Sequence, residues 1–495
     1  MRLSKSDIAV IGSGFAGLSA ASVLAQRGAN VELFEKNDQI GGRARQFCDS
    51  GYTFDMGPSW YWMPDVIEKY FNHFGYTASD FYELVKLDPG FQMIFGEGEV
   101  LKVPANYYDL LELFESIEKG AADRLNDFMN DAEIKYNIGI KELVYQPGHS
   151  ISEFLNKEVL TNVFKLQVFS NFSKHIRGYF KDRRLIALME FPILFLGSMP
   201  KNTPALYSLM NYSGLKAGTY YPKGGFGKII EAMEKIALGN GVKIHTSTSV
   251  TKIETYKRLA TGLNIRNKIN TYDGIIGAAD YHHIEQSLLD EGKRGYSEKY
   301  WQKRTLAPSS LIFYLGIKEK LSSLEHHNLF FDEDLNQHGI EIYEEKKWPS
   351  KPLFYVCCPS KTDESVAPKG KENVFILMPI APGLNDSEEI REKYFEILVK
   401  RLSKHVGKNI EDLIEVKRSY CIKDFQEDYN SFLGNAYGLA NTLKQTAILK
   451  PKLKSKKLDN LFFAGQLTVP GPGVPPSLIS GQVAAREMIK YLNQL

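Results

Sequence analysis

The periodicity of apolar positions changes along the chain, and the change is sharpest near the start. Ile8-Ala9-Val10-Ile11 is an unbroken apolar run, which predicts a strand covered on both faces in a parallel sheet. After Gly12-Ser13-Gly14-Phe15-Ala16-Gly17, the apolar residues Leu18, Ala21, Leu24 and Ala25 fall at helical spacing. Val31–Phe34 predicts a second strand, ending at Glu35. Ile8 to Ala25 carries no charge, so by length it also suits a membrane span, or a signal-peptide core behind Arg2 and Lys5. Its glycines and the strand partner just downstream favour strand, turn and helix. The expectation is a soluble chain without an export signal.

Further along, Phe47 and Tyr52–Phe54 predict a short hairpin that leads into Asp55-Met56-Gly57-Pro58-Ser59-Trp60-Tyr61-Trp62. Asn106–Ile117 and Asp123–Ile134 have helical spacing, with a break at Glu118–Ala121. Arg183–Ser208 is densely apolar but interrupted by Glu190 and Pro192, too short to span a bilayer. It is compatible with a core helix, a tunnel wall, or a membrane-interface segment behind Lys181, Arg183 and Arg184. A helix at Lys228–Leu238 and strands at Val242–His245 and Val250–Ile253 suggest a return to the first sheet. The run Ile275–Ala279 ends at Asp280, which reads as a helix N-cap. Strands at Leu311–Gly316, Leu353–Cys357 and Val374–Met378 precede a helix at Glu388–His405. A strand within Leu458–Gly465 leads through a loop rich in proline and glycine to a terminal helix, Leu478–Tyr491, with Pro475 or Pro476 suited to its first turn.

The 495 residues suffice for two or three domains, and 43% hydrophobic with 24% charged residues excludes a disordered chain. A net charge of +2 provides no electrostatic case for nucleic acid. Cys48, Cys357, Cys358 and Cys421 form no C-x-x-C and show no histidine at ligand spacing, so neither a disulfide framework nor a metal site is expected, and a reducing cytoplasm fits. His282 and His283 are adjacent, do not share a helix face, and are read as structural. The lysines at 444, 450, 452, 454, 456 and 457 form a basic run, read as solvated, with an anionic membrane surface as its other use.

The chemistry concentrates at the two ends. Gly12 allows the tight strand-to-helix turn, Gly14 lets backbone approach a pyrophosphate, and Gly17 permits close helix–strand packing. The helix N-terminus offers unpaired N–H groups to the anion. Glu35, roughly 20 residues beyond the glycines, is placed to accept from ribose hydroxyls. An adenine dinucleotide is therefore expected. Gly41-Gly42-Arg43 adds another close approach and a cation for phosphate. Near the other end, Val469-Pro470-Gly471-Pro472-Gly473-Val474-Pro475-Pro476 opens a helix whose positive end would favour charge on a reduced flavin.

Taken in order, GSGFAG with Glu35 and GGRAR, DMGPSWYWMPDV, FPILFLGSMPKNTPALYSLMNYSGL, YPKGGFGK and FFAGQLTVPGPGVPPSLISGQVAA resemble the bacterial-type phytoene (carotenoid) desaturases, within the flavin amine oxidase-like group. The resemblance implies FAD, with Gly12, Ser13, Gly14, Phe15, Ala16 and Gly17 at the pyrophosphate and Glu35 at the ribose. It implies Gly42 and Arg43 on the phosphate–ribityl side, Val250 at the adenine through its backbone, and Gly465, Val474 and Pro475 at the ribityl chain and ring. Lys36, Gly57 and Pro58 complete the candidate cofactor set, and Trp60, Phe191 and Phe195 are the candidate substrate wall. Two departures stand out: Gln466 where relatives carry an acid, and Asn211-Tyr212-Ser213-Gly214 where they tend to have Ala-Asp after the tyrosine.

The implied fold is α/β: a Rossmann-like FAD-binding domain from 1–90, 215–290 and 455–495. A discontinuous α+β substrate domain from 91–214 and 291–454 would carry a helical membrane-associating region near 183–208. The implied reaction removes two hydrogens from an acyclic or partly modified C40 carotenoid, phytoene or a later hydroxylated or monocyclic one. Lacking a second G-x-G-x-x-G unit or a redox dithiol, the chain is expected to pass electrons to a quinone or oxygen. A peripheral membrane location on the cytoplasmic side follows from the lipid substrate. Rival readings are an amine or porphyrinogen oxidase, a redox-neutral isomerase or saturase, and a non-catalytic carotenoid carrier.

Overall fold

The computed structural model describes residues 6–141, 143–150, 153, 170–442 and 445–494. Strand β1 (Asp7–Ile11) passes into helix α1 (Phe15–Gln26), and β2 (Asn30–Phe34) pairs parallel to β1 with Val10 opposite Leu33. Helix α2 (Gly227–Gly239) leads to β3 (Lys243–His245) beside β2, and β4 (Gly274–Gly277) lies on the other side of β1. From the far end of the chain come β5 (Leu461–Phe463), beside β4, and helix α3 (Val474–Leu492). The sheet is parallel throughout, in the order β5-β4-β1-β2-β3.

Both faces of this sheet are covered, which explains the unbroken apolar run at Ile8–Ile11. Ile8, Val10 and Leu33 pack with Leu18, Ile229 and Val483 of the three helices, while Ala9, Ile11 and Phe34 pack with Ile253 and Leu263. Those last two belong to an antiparallel sheet of Val250–Tyr256, Leu259–Ile265 and Lys268–Thr271. The expectation that Val250–Ile253 joins the first sheet is thus corrected. The hairpin turns, with positive φ at Lys257, Arg266 and Asn267, are too short for the crossover that a parallel strand needs.

Helices α1 and α3 cross at small residues. A Cβ on Gly481 would lie 2.2 Å from the Ala16 carbonyl oxygen, and Ser19 Oγ donates to the Leu478 carbonyl across the same contact at 2.9 Å. The two ends of the chain are therefore locked together.

A seven-stranded sheet is built in the order Ile414–Tyr420, Ser309–Ile317, Glu372–Ile380, Phe354–Cys357, His327–Phe331, Phe91–Phe95, Val100–Val103. All its pairings are antiparallel except that of Phe91–Phe95 with His327–Phe331. Its alternation assigns the faces. Leu311, Phe313, Val374 and Ile376 pack under the helix Glu388–Val406, while Ile312, Leu329, Tyr355 and Leu377 face the other way, toward the first sheet's side of the molecule.

The 183–208 segment is helical only to Glu190. Asp182 caps the helix through the Arg184 amide, and a 3-10 turn, Phe191–Leu196, follows with Pro192 in its first turn. Leu185, Leu188 and Met189 are buried in it, and Glu190 is buried against Arg177. Arg184 is paired with Asp182 and Glu99 at 2.8 and 2.6 Å, so part of the expected basic cluster is neutralised. Among the described residues no helix is long and apolar enough to cross a membrane. Lys450, expected in a solvated run, is only 2% exposed, because its segment packs behind the loop at Gly471; Lys444 lies outside the described residues.

Candidate active site

The carboxyl ends of β1, β2 and β4 open onto an elongated cavity of about 430 Å3, lined by Ile11, Phe34 and Ala278 at those strand ends. This is the edge where ligands meet open parallel sheets. Gly12, at φ +99°, turns the chain and donates its N–H to the Phe34 carbonyl at 2.8 Å. Helix α1 then starts at Gly14 with no capping side chain and no acid in its first turn, so its first N–H groups are left to a ligand. A Cβ on Gly14 would have only the Gly42 Cα within range, at 4.0 Å, and one on Gly465 only Ala16 Cβ, also at 4.0 Å. Both leave open floor in the cavity lining.

Gly12, Ser13, Gly14, Phe15, Ala16, Glu35, Lys36, Gly42, Arg43, Gly57, Pro58, Val250, Gly465, Val474 and Pro475 all line this one cavity. Gly17 does not. Its Cβ would fall 1.9 Å from the Gly12 carbonyl oxygen, so its expected contact with a pyrophosphate is corrected to a packing role, holding helix against turn. Phe195 lies among the residues whose side chains are not described.

Glu35, 6% exposed, accepts from Ser13 N (3.1 Å), Ser13 Oγ (2.6 Å) and Asn37 N (2.9 Å). Its carboxylate is held in place by the loop it serves. Lys36 Nζ reaches the Glu427 carbonyl, and burial lowers its pKa. Arg43 donates to Ser431 Oγ at 3.3 Å and to the Asn435 carbonyl at 3.2 Å, lies over the Tyr429 ring, and leaves its buried Nε without a partner. Burial lowers its pKa too, and no carboxylate hydrogen-bonds it. A guanidinium in this state calls for an anion. Glycine floors, the N-terminus of α1 and this cation together fit a dinucleotide pyrophosphate.

Sequence reasoning recognised Asp280 only as a cap, which it is: Oδ1 accepts from His283 N at 3.1 Å. It also lines the cavity, and burial raises its pKa while Arg43 opposes the shift. His283, read as structural, lines the cavity as well, and His282 stacks on Phe432 at 3.9 Å. Gln466 lines the cavity and donates to Asn435 Oδ1 at 3.3 Å.

Beyond Gly57 and Pro58 the cavity becomes apolar. Trp60, Phe191, Met210, Leu329, Ile342 and Leu377 face it, with the hydroxyl-bearing Tyr343, Tyr355 and Tyr437 among them. Trp60 stacks on His327 at 4.0 Å between ring centres and packs against Phe191 at 5.9 Å. No local signal marks Tyr355, His327 or Tyr437; strand pairing brings Tyr355 to the cavity and His327 behind Trp60, and the loop after Gly434 brings Tyr437. Asn211, one of the departures, is buried away from the cavity and donates to the Met189 carbonyl at 2.8 Å.

Residues 15–489 match the family model for flavin containing amine oxidoreductase. The carotenoid 3,4-desaturase of Haloarcula japonica is 38% identical over 489 residues, covering 99% of both chains. The zeta-carotene-forming phytoene desaturase of Myxococcus xanthus is 30% identical over 492 residues, covering 98% of this chain and 94% of its own. Among solved structures, an oxidoreductase from Methanosarcina mazei superposes with a TM-score of 0.62 at 17% identity, covering 97% of this chain and 100% of its own.

Proposed function

The chain belongs to the flavin-containing amine oxidoreductases and, within them, to the carotenoid desaturases, and from this we propose that it is an FAD-dependent enzyme of carotenoid biosynthesis that introduces C=C bonds into an acyclic or partly modified C40 carotenoid. The observation that carries the proposal is the continuity of one cavity from a dinucleotide cradle into an apolar chamber. The carboxylates that line it are Glu35 at the end of β2, Asp280 just beyond β4 and Asp428 in the helix Ile422–Tyr429, all beside the cradle, and the chamber walls have none among the described residues. An amine substrate would ask for a carboxylate there; a polyene asks for none.

In this reading Gly12 to Ala16 and the start of α1 hold the pyrophosphate and Glu35 the ribose, while Val250 lies at the adenine. Lys36, Gly42, Arg43, Gly57 and Pro58 serve the phosphate–ribityl side, and Gly465, Val474 and Pro475 the ribityl chain and ring. Bound FAD supplies the acceptor for a hydride. The chain's own contribution is alignment and dryness: Trp60, Phe191 and Leu329 hold an extended polyene and exclude water. The segments carrying the parallel sheet form the cofactor domain, and those carrying the seven-stranded sheet form the substrate domain. We further assign the 183–208 region to a peripheral membrane contact on the cytoplasmic side, through which the lipid substrate enters, and a quinone or oxygen as the final electron acceptor.

The test is incubation of the FAD-loaded protein with liposomes carrying phytoene, a monohydroxylated acyclic carotenoid or a monocyclic one. A red-shifted product lighter by two hydrogens is expected from at least one. No new double bond in any of them sinks the desaturase reading, and fast bleaching of the flavin by NADPH alone sinks the assignment of the acceptor.

A further inference from the structure

Desaturation leaves a proton behind. Two hydrogens depart from neighbouring carbons, one as hydride with the electron pair of its C–H bond. The other leaves as H+, its electron pair becoming the new π bond. A bare proton in a chamber walled by Trp60, Phe191 and Leu329 is a buried, unpaired charge, which costs several kcal/mol or more. Every turnover must therefore export one, and the chamber offers no carboxylate to take it.

One residue of the chamber wall has a second cavity behind it. Ser59 lines the main cavity and also a small one of about 20 Å3, shared with Asp55, Tyr221, His326 and Cys357. That space exceeds the ~10–15 Å3 a single water needs; its surface is mostly apolar, but Asp55, Ser59, Tyr221, His326 and Asn373 bring polar side chains to it. His326 is 4% exposed, and its Nε2 has no partner. On the other side of its ring, Nδ1 lies 2.7 Å from Thr362 Oγ1, and Thr362 is half-buried at the protein surface. Burial lowers the His326 pKa to about 3, with Asp363 opposing the shift, so the imidazole rests neutral with a lone pair to offer. Ser59 Oγ accepts the Tyr355 hydroxyl hydrogen at 3.0 Å, and Tyr355 Oη is 2.6 Å from His327 Nδ1. This second branch fixes Ser59 with its own hydrogen free to point into the small cavity.

We propose that Ser59, one water in the small cavity and His326 form the proton exit of the desaturase, with Ser59 as the catalytic residue at the chamber wall. As the substrate C–H proton moves to Ser59 Oγ, the serine hydrogen passes to the water and a water hydrogen to His326 Nε2. The hydrogen on His326 Nδ1 then leaves by Thr362 to solvent, which leaves the neutral ring with its hydrogen on Nε2, and a flip of the imidazole with rotation of the water and the Ser59 hydroxyl restores the resting state. No further reactant is needed. A weak base suffices because a carbon next to an allylic cation is strongly acidic. The proposal rests on the desaturase reading.

The same side chains test it against a competing use. His326, His327 and Cys357 place three ligand-type atoms within 4.8 Å of one another, and a metal ion there would occupy the lone pairs the relay needs. Burial keeps the Cys357 thiol protonated, its pKa pushed up to about 12, which opposes that use. The experiment compares Ser59→Ala, Ser59→Thr and His326→Asn with the parent, all loaded with FAD. Ser59→Ala and His326→Asn should lower kcat by about 10²–10³-fold, keep KM and flavin content, and abolish the solvent deuterium isotope effect. Ser59→Thr, which keeps the hydroxyl, should stay within a few-fold. In flavin-free protein with 15N-labelled histidine, His326 should carry its ring hydrogen on Nδ1 between pH 5 and 8. Parental rate and isotope effect in both Ser59→Ala and His326→Asn overturn the proposal. So does a hydrogen on Nε2, or stoichiometric zinc or copper in the purified protein. A parent that desaturates nothing overturns the desaturase reading instead, while the histidine tautomer still judges the relay.

Discussion

Gly481 touches no part of the cavity, yet replacing it with alanine should weaken the cofactor. Its new Cβ would lie 2.2 Å from the Ala16 carbonyl oxygen and 2.9 Å from Ser19 Cβ. An ordinary C···O contact is about 3.3 Å, so α1 and α3 must separate by about 1 Å. Overpacking of this kind costs ~1–3 kcal/mol, and alanine's better helix propensity returns about 1, so the flavin-free fold loses little. Binding loses more. The start of α1 and the start of α3 line the same cavity, so a cofactor held by both would lose hydrogen bonds to one of them on a separation of about 1 Å. Two bonds to a charged phosphate, at about 1.5 kcal/mol each, amount to about 3 kcal/mol, or about 10²-fold in affinity. The assay is titration of flavin-free protein with FAD, followed by quenching of flavin fluorescence. Gly178→Ala is the control: it is also in a helix, but with nothing within 4 Å of its Cβ, and it should gain up to about 1 kcal/mol in stability with FAD affinity unchanged. A Kd within threefold of the parent in Gly481→Ala would refute the idea that this helix crossing sets the width of the cofactor site.

Gly14→Ala should act in the opposite way to a folding defect. Its φ of −69° tolerates a side chain and the nearest atom is 4.0 Å away, so melting of the flavin-free protein should be unchanged while FAD affinity falls at least about tenfold by calorimetry. Arg43→Ala removes a cation that lines the cavity on the side of the expected phosphates and should cost about 1.5–3 kcal/mol of FAD binding. Arg43→Lys should recover only part of it, because an ammonium does not reproduce the guanidinium's donor fork. Glu285 supplies a pH test. Burial raises its carboxyl pKa to about 7, so between about pH 4.5 and 7 the folded chain holds a proton that the unfolded chain has lost. Stability should fall as pH rises through that window, by about 3 kcal/mol, and level off above it. Glu285→Gln cannot ionise, and its urea-unfolding free energies should lack that fall; parallel curves for parent and variant would contradict the assignment.

The cofactor half was legible because its chemistry is local. A buried strand, a glycine turn, a helix start and an acid at the next strand end all fall between Asp7 and Glu35, and each has a compositional cause. The terminal Pro-Gly loop is local in the same sense, though α3 begins at Val474, earlier than the Leu478 start expected from its apolar pattern, since prolines fit a first helical turn. Val250–Ile253 misled because a strand's apolar pattern does not say which sheet it joins; the short turns that follow it decided that.

By itself, then, the sequence marked a candidate adenine-dinucleotide site and the residues expected to approach it, nearly all of which the fold gathers round one cavity. The tertiary structure alone decided what surrounds the apolar chamber beyond it. His327 stands opposite Cys357, and Leu329 opposite Tyr355, through strand register between segments about 30 residues apart. Ser59 meets Tyr355 across 296 residues of sequence. A slip of one residue in those pairings would turn Tyr355 and Leu329 toward the helix Glu388–Val406 and close the chamber. Register is a property of the assembled sheet, held by both packed faces at once, and no short stretch of residues carries it.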